Sequence, residues 1–123
     1  MRATVLAYGY DGKEIKPVKA VCARLDLRLR RVEPPEYGQS IGAFFGVAPR
    51  REAGEEAGDI PGRMLVLAGL TSRQLDALLS ALKTARAGDS LKAVLTEHNA
   101  RLTGPALYRE LFREKAEIEK YIK

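Results

Sequence analysis

Two short apolar runs, sixty residues apart, are followed by similar polar residues at the same offsets. Residues 5–11 precede Glu14 and Ile15, and residues 65–71 precede Gln74 and Leu75. Each run ends at a glycine and a capping residue, with a carboxylate or amide three residues further on, which is typical of a buried strand that leads into a helix. The pattern therefore predicts one strand followed by one helix in each half of the chain.

The remaining elements follow from hydrophobic periodicity. Residues 25–30 alternate apolar and charged side chains, which predicts an edge strand, and residues 91–95 are its counterpart. Helices are predicted over residues 17–24 and 72–86 and again after Ser40 and Thr103, with the first one beginning near Lys16 or Pro17 because proline is tolerated only in the first turn.

These elements predict one α/β domain over residues 1–123. It contains two β-α-β-α half-repeats, residues 1–47 and 63–123, joined by a linker at 48–62. We expect a four-stranded, mainly parallel sheet in the order 2-1-3-4, because this order places the two most apolar strands in the centre. The alternative is a ferredoxin-like α+β fold with an antiparallel sheet.

Composition narrows the chemistry. The chain has one cysteine, one histidine and a net charge of +5, so we expect no structural zinc, no other metal and no cofactor. Neither a signal peptide nor a membrane-spanning stretch is recognisable, and the cytoplasm is the expected compartment.

Two groups of residues are candidates for a binding site. If the central strands are parallel, Gly9, Gly69, Thr71 and Ser72 meet at one edge of the sheet, where open α/β sheets bind ligands. The polar group that follows the last strand is the second candidate, and we interpret it as a recognition surface formed by Lys92, Thr96, His98 and Asn99.

A small binding or regulatory module without catalytic residues is the function that these features favour. One alternative is a nucleic-acid-binding protein that uses a basic strand face with Arg28, Arg30 and Arg31. The other is a small-molecule enzyme built around His98, for which no partner base or nucleophile is recognisable because Cys22 lies on an apolar helix face.

The last helix carries more apolar residues than one small sheet requires. Leu107, Leu111, Ile118 and Ile122 form one stripe, with Tyr108 and other aromatic residues beside it. This surplus predicts a homo-oligomer, most simply a dimer, or an unidentified protein partner. The alternative is that Tyr108 and Phe112 simply fill the core.

The second half resembles an uncharacterised bacterial and archaeal family defined as a domain of unknown function. The resemblance covers about residues 62–114 and is most specific in the segment Lys-Ala-Val-Leu-Thr-x-x-Asn, which is residues 92–99. It implies a small cytoplasmic protein and carries no known activity, substrate or catalytic residue.

Overall fold

The computed structural model describes the backbone of residues 2–50 and 58–122 and the side chains of residues 2–50 and 58–118. Part of the predicted linker, residues 51–57, lies outside the described residues. Ten elements follow one another along the chain: β1 (Thr4–Tyr8), α1 (Ile15–Arg24), β2 (Arg28–Val32), a 3₁₀ helix (Pro34–Glu36), α2 (Ile41–Phe44), β3 (Met64–Ala68), α3 (Ser72–Thr84), β4 (Leu91–Val94), α4 (Glu97–Ala100) and α5 (Gly104–Ile122).

The four strands form one sheet in the order β2-β1-β3-β4, which confirms the predicted order. β1 pairs with β2 and β3 pairs with β4 in parallel, as right-handed crossovers through α1 and α3 would give. The central strands β1 and β3 pair antiparallel, so the prediction that these two strands run parallel is wrong. A short, fully apolar strand has no sequence signal for direction, and the long connection between β2 and β3 can reach either end of the sheet.

Helices cover both faces of the sheet, which also excludes the ferredoxin-like alternative, since α+β folds of that type place their helices on one face. On one face Val5, Ala7, Leu65 and Leu67 pack with α1 and α3. On the other face Leu6, Tyr8, Met64 and Val66 pack with α2, α5 and Tyr37, the residue after the 3₁₀ helix. Burial on both faces explains why every residue of β1 and β3 is buried, whereas β2 and β4 are partly exposed edge strands.

The β1-α1-β2 and β3-α3-β4 units share local features at constant offsets. Gly9 and Gly69 both have positive φ, at 80° and 76°, sixty residues apart. Asp26 and Arg86, also sixty apart, have φ of 55° and 57° and end α1 and α3. In both cases the next N–H donates back into the last helical turn, from Leu27 to Cys22 and from Ala87 to Leu82, which is the Schellman ending of a helix.

The Schellman turn corrects the predicted boundary of β2. The alternating pattern suggested a strand over residues 25–30, but residues 25–27 complete the end of α1 and the strand spans Arg28–Val32. The inward direction of Leu27 and Leu29 still agrees with the alternation, because both contact the α1/α3 side of the core.

Positions that correspond in the two units also meet in space. Leu6 of β1 pairs with Val66 of β3, and an isolated antiparallel bridge joins Ser40 to Thr103. Next to that bridge, the N–H of Ile41 donates to the carbonyl of Leu102 at 2.9 Å. The two halves are therefore held together by like segments at the sheet centre and at the start of α2 and α5.

Candidate functional site at the ends of the second unit

Lys92 lies on the edge strand β4 and bonds to the backbone before it. Its Nζ donates to the carbonyl oxygens of Gly88 at 2.7 Å and Ser90 at 3.0 Å. Partial burial lowers the pKa of the Lys92 amine, and the nearby Lys115 acts in the same direction. The Lys92 side chain thus closes the loop that enters β4.

Asn99 ties the other end of β4. Its Oδ1 accepts from the N–H of Thr96 at 2.8 Å, while the Thr96 hydroxyl accepts from the N–H of Asn99 at 3.1 Å, a capping box that starts α4. The Asn99 amide also donates to the carbonyl of Val94 at 3.0 Å. Since the N–H groups of Leu91 and Leu95 bond to β3, the intervening Val94 carbonyl points away from β3, and Asn99 covers it.

Thr96 and Glu97 border an open cavity of about 610 Å³. The cavity lies between the segment after α2 and the start of α4, with an apolar wall from Val47, Ala48, Leu95 and Ala100. Of the four residues in the predicted recognition surface, Thr96 and His98 remain exposed, Lys92 is half-buried and Asn99 is buried. The side chains of Lys92 and Asn99 also form hydrogen bonds with the protein's own backbone.

His98 pairs with an acid on α5. Its Nε2 lies 3.2 Å from each carboxylate oxygen of Glu110, and its side chain is 69% exposed.

Burial raises the pKa of the Cys22 thiol to about 11, so this thiol stays protonated and unreactive near neutrality. Among the described residues no three His, Cys, Asp or Glu side chains come together as a metal site.

The predicted crevice does not form, because the antiparallel centre sends the two central strands to opposite ends of the sheet. Gly9 follows β1 and lies against Gly62 and Arg63 at the start of β3. Gly69, Thr71 and Ser72 follow β3 at the other end. Thr71 there forms a capping box with Gln74, with bonds of 2.8 and 3.1 Å.

The basic edge strand β2 has its own acidic partners. Arg30 bonds to Glu36 at 2.6 Å and lies 4.9 Å from the centre of the Phe44 ring. Arg31 bonds to Glu33 at 2.9 Å. Ion pairs within the chain engage two of the three arginines that the nucleic-acid alternative used, Arg30 and Arg31, although Arg30 stays exposed like Arg28.

The structure shows a polar cluster that the sequence did not indicate. Arg63, at the start of β3, bonds to Glu14 at 3.0 Å and Asp89 at 3.5 Å, and its guanidinium lies 5.9 Å from the centre of the Tyr10 ring. The buried hydroxyls of Tyr10 and Ser90 lie beside each other; burial raises the pKa of Tyr10, and the Ser90 hydroxyl acts in the opposite direction. These residues are far apart in the sequence, and only the antiparallel centre brings Tyr10 to the start of β3.

No helix among the described residues combines the length and apolar character needed to cross a bilayer. No curated protein and no solved structure matches the chain. A family model does match residues 63–118, from the residue before β3 into the second half of α5. This segment, which includes both Lys92 and Asn99, is similar to the family described as Domain of unknown function (DUF3783).

Proposed function

We propose that this protein is a binding module without catalytic residues that works as a homodimer through α5. The observation that carries the proposal is the exposed segment of this helix from Phe112 to Ile118. Every side chain of this segment is exposed, and Ile118, which is 58% exposed, lies on the side of the helix that carries Leu107 and Leu111. An unpartnered apolar side of a helix is typical of an association surface.

The apolar stripe of α5 continues from the core into solvent. Leu107 is buried against the sheet, Leu111 is half-buried, and Ile118 lies on the same side two turns later. Residues 109–118 contain three basic and three acidic side chains. A second copy therefore meets this segment without the repulsion expected from a chain of net charge +5.

The covered edge of β4 supports association through α5 rather than through strand addition. Asn99 occupies the Val94 carbonyl and Lys92 occupies that of Ser90, so two acceptors that a docking strand would need are already bonded. Thr96 and His98 remain available to a partner at the exposed surface that we predicted for recognition.

We also propose that the chain arose from two copies of one unit and acts in the cytoplasm. The shared offsets of the strand, cap and turn positions support the duplication. One pair of capping boxes, at Glu33 with Glu36 and at Thr96 with Asn99, adds to it because both members differ by 63 residues. The single, free and buried Cys22 is consistent with a reducing compartment.

The dimer is tested by light scattering after size exclusion and by sedimentation across a dilution series. We expect the unchanged protein to be a dimer and Ile118→Lys to be a monomer with an unchanged circular dichroism spectrum. Ala116→Lys is the matched control, because it adds the same charge at an exposed position that lies about 200° around the helix from Ile118. An unchanged protein that stays monomeric at every concentration would refute the proposal, as would a dimer that Ile118→Lys leaves intact.

A further inference from the structure

The loop that enters β4 is three residues longer than its counterpart in the first unit. The ends of α1 and α3 differ by sixty residues, at Asp26 and Arg86, whereas the starts of β2 and β4 differ by 63, at Arg28 and Leu91. The additional residues fall between Arg86 and Leu91, where the second unit has Gly88, Asp89 and Ser90.

The longer loop forms one wall of a pocket of about 270 Å³, and α5 forms the opposite wall. Six of its lining residues carry the argument: Arg63, Asp89, Ser90, Tyr108, Phe112 and Lys115. We call this the loop–helix pocket. It lies at the same end of the sheet as Gly9 and the Arg63 cluster.

The pocket contains an aromatic surface that is open to solvent. Phe112 stacks on Tyr108, with ring centres 6.2 Å apart and planes inclined by 20°. Tyr108 is buried beside Gly62, while Phe112 is 58% exposed. Because Tyr108 supports one side of the Phe112 ring, Phe112 presents a braced apolar surface to a planar group.

Cations surround the same loop on both sides. Arg63 and Lys115 line the loop–helix pocket, and a neighbouring cavity of about 450 Å³, which shares Gly88 and Asp89 with it, is lined by Lys83, Arg86 and Lys92. These five cations face two carboxylates, Asp89 and Glu14. The region therefore attracts anions.

The internal partners of Arg63 leave it accessible to an anion. Its contact with Asp89 is long, at 3.5 Å, and the Asp89 side chain is 96% exposed, so this carboxylate can swing into water at little cost. The buried hydroxyl of Ser90, which lies beside that of Tyr10, is a further polar group in the pocket wall.

We propose that the loop–helix pocket binds a nucleotide unit, with the base stacked on Phe112 and the phosphate held by Arg63 and Lys115. Base stacking on an aromatic ring together with phosphate contacts to flanking cations is the usual arrangement for unpaired nucleotides. Two sources supply this unit, a free mononucleotide or one nucleotide of a single strand. The additional cations Lys83, Arg86 and Lys92 extend the positive surface beyond one phosphate, which favours the strand.

The proposal is tested with two probes, adenosine monophosphate and a fluorescent oligothymidylate, by calorimetry and anisotropy on the full chain. We expect Phe112→Ala to weaken binding about tenfold or more, as for the loss of one stacked base. Lys115→Ala is expected to weaken binding and to reduce its dependence on salt. Lys19→Ala, which removes an exposed lysine on α1 away from the pocket, is the matched control and is expected to bind normally.

The outcomes separate the two sources and the proposed dimer. Tighter binding of the oligonucleotide with a steep salt dependence identifies a strand as the ligand, and equal or tighter binding of the monophosphate identifies a free nucleotide. Ile118→Lys is expected to retain binding, so failure of the dimer leaves this proposal standing. Absence of binding to both probes at low salt would overturn it, as would a Phe112→Ala variant that folds and binds like the unchanged protein.

Discussion

The β1-α1-β2 and β3-α3-β4 units use the same framework with different polar ties. In the second unit Gln74 returns to the N–H of Thr71 and completes a capping box. In the first unit the corresponding Glu14 binds Arg63 of the other unit, while Asp11 alone accepts from the N–H groups of Lys13 and Glu14.

Proline provides a physical reason for this difference. Pro17 is tolerated only in the first turn of a helix, and α1 accordingly begins at Ile15, three residues later than α3 relative to the shared offset. The residues between Asp11 and Ile15 form a turn, and Glu14, which is the N-cap of α1, makes no side-chain capping bond there. The residue at this offset therefore forms a local cap in the second unit and a link between the two units in the first.

The largest difference between the units is expected at their glycines. A methyl group on Gly9 would lie 1.9 Å from the backbone oxygen of Gly62, in addition to the positive φ of this residue. We expect Gly9→Ala to cost well above the roughly 1–2 kcal/mol of a left-handed residue, about 3 kcal/mol or more because backbone must move. Gly69→Ala is the matched control, with the φ penalty as its expected cost. Urea unfolding of both variants provides the measurement, and equal losses would contradict the close approach at Gly9.

The two capping boxes beyond β2 and β4 give the next largest effect. Asn99 is buried and ties both Thr96 and Val94, whereas Glu36, the corresponding residue 63 positions earlier, is half-exposed and bonds to Glu33 and Arg30. We expect Asn99→Ala to lower the free energy of unfolding by about 2 kcal/mol and Glu36→Ala by less than about 1 kcal/mol.

Asn99→Asp separates the two roles of this side chain. The aspartate keeps the acceptor for the Thr96 N–H but places a carboxylate oxygen against the Val94 carbonyl at a buried position, so a loss of stability at least as large as that of Asn99→Ala is expected at neutral pH. If Asn99→Ala leaves stability unchanged while weakening binding to a partner, Asn99 belongs to the recognition surface and the structural role is wrong.

Local signals in the sequence were sufficient for some features and not for others. The capping box at Thr71 and Gln74 and the late start of α1 before Pro17 follow from side-chain chemistry within a few residues, and the strand order follows from which runs are most apolar. The direction of β3 does not, because an all-apolar strand of five residues buries equally well in either direction.

The prediction of the candidate site depended on the direction of β3, which the sequence does not indicate. Placing Gly9 and Gly69 at one edge assumed a parallel centre, and the antiparallel pair instead brought Tyr10 to Arg63. The lysine of the Lys-Ala-Val-Leu-Thr-x-x-Asn segment looked like a recognition residue because its acceptors are backbone carbonyls, which a sequence does not mark. The structural role of Asn99 is one that asparagine commonly has in loops, where its side chain bonds to the nearby backbone.

A smaller contrast concerns Asp11 and Thr71, because only the Asp11 side chain titrates. The N–H of Glu14 and then that of Lys13 donate to the Asp11 carboxylate and lower its pKa. Because the folded pKa lies below the unfolded value, this stabilisation is complete above the unfolded pKa, near about 4, and is lost as the pH falls through the folded pKa. The Thr71 hydroxyl does not titrate, and its contribution stays constant.

Unfolding of Asp11→Ala and Thr71→Ala at neutral and at strongly acidic pH measures this contrast. Thr71→Ala is expected to lose about 1 kcal/mol at both pH values, while the difference between Asp11→Ala and the unchanged protein is expected to shrink in acid. A loss in Asp11→Ala that is the same at both pH values would show that the Asp11 side chain acts by some means other than its charged carboxylate.

The smallest effect is expected at the link between the units. Glu14→Gln removes the charge that faces Arg63, and because both side chains are more than a third exposed, the pair contributes less than about 1 kcal/mol. Salt is expected to reduce this contribution further, whereas Glu114→Gln, an exposed acid on α5, serves as the control for the change in net charge. Releasing Arg63 from Glu14 makes its guanidinium more available to a phosphate, so the same variant is expected to bind the oligonucleotide more tightly. Tighter binding with little change in stability would show that the first unit, through Glu14, moderates the site formed by the second.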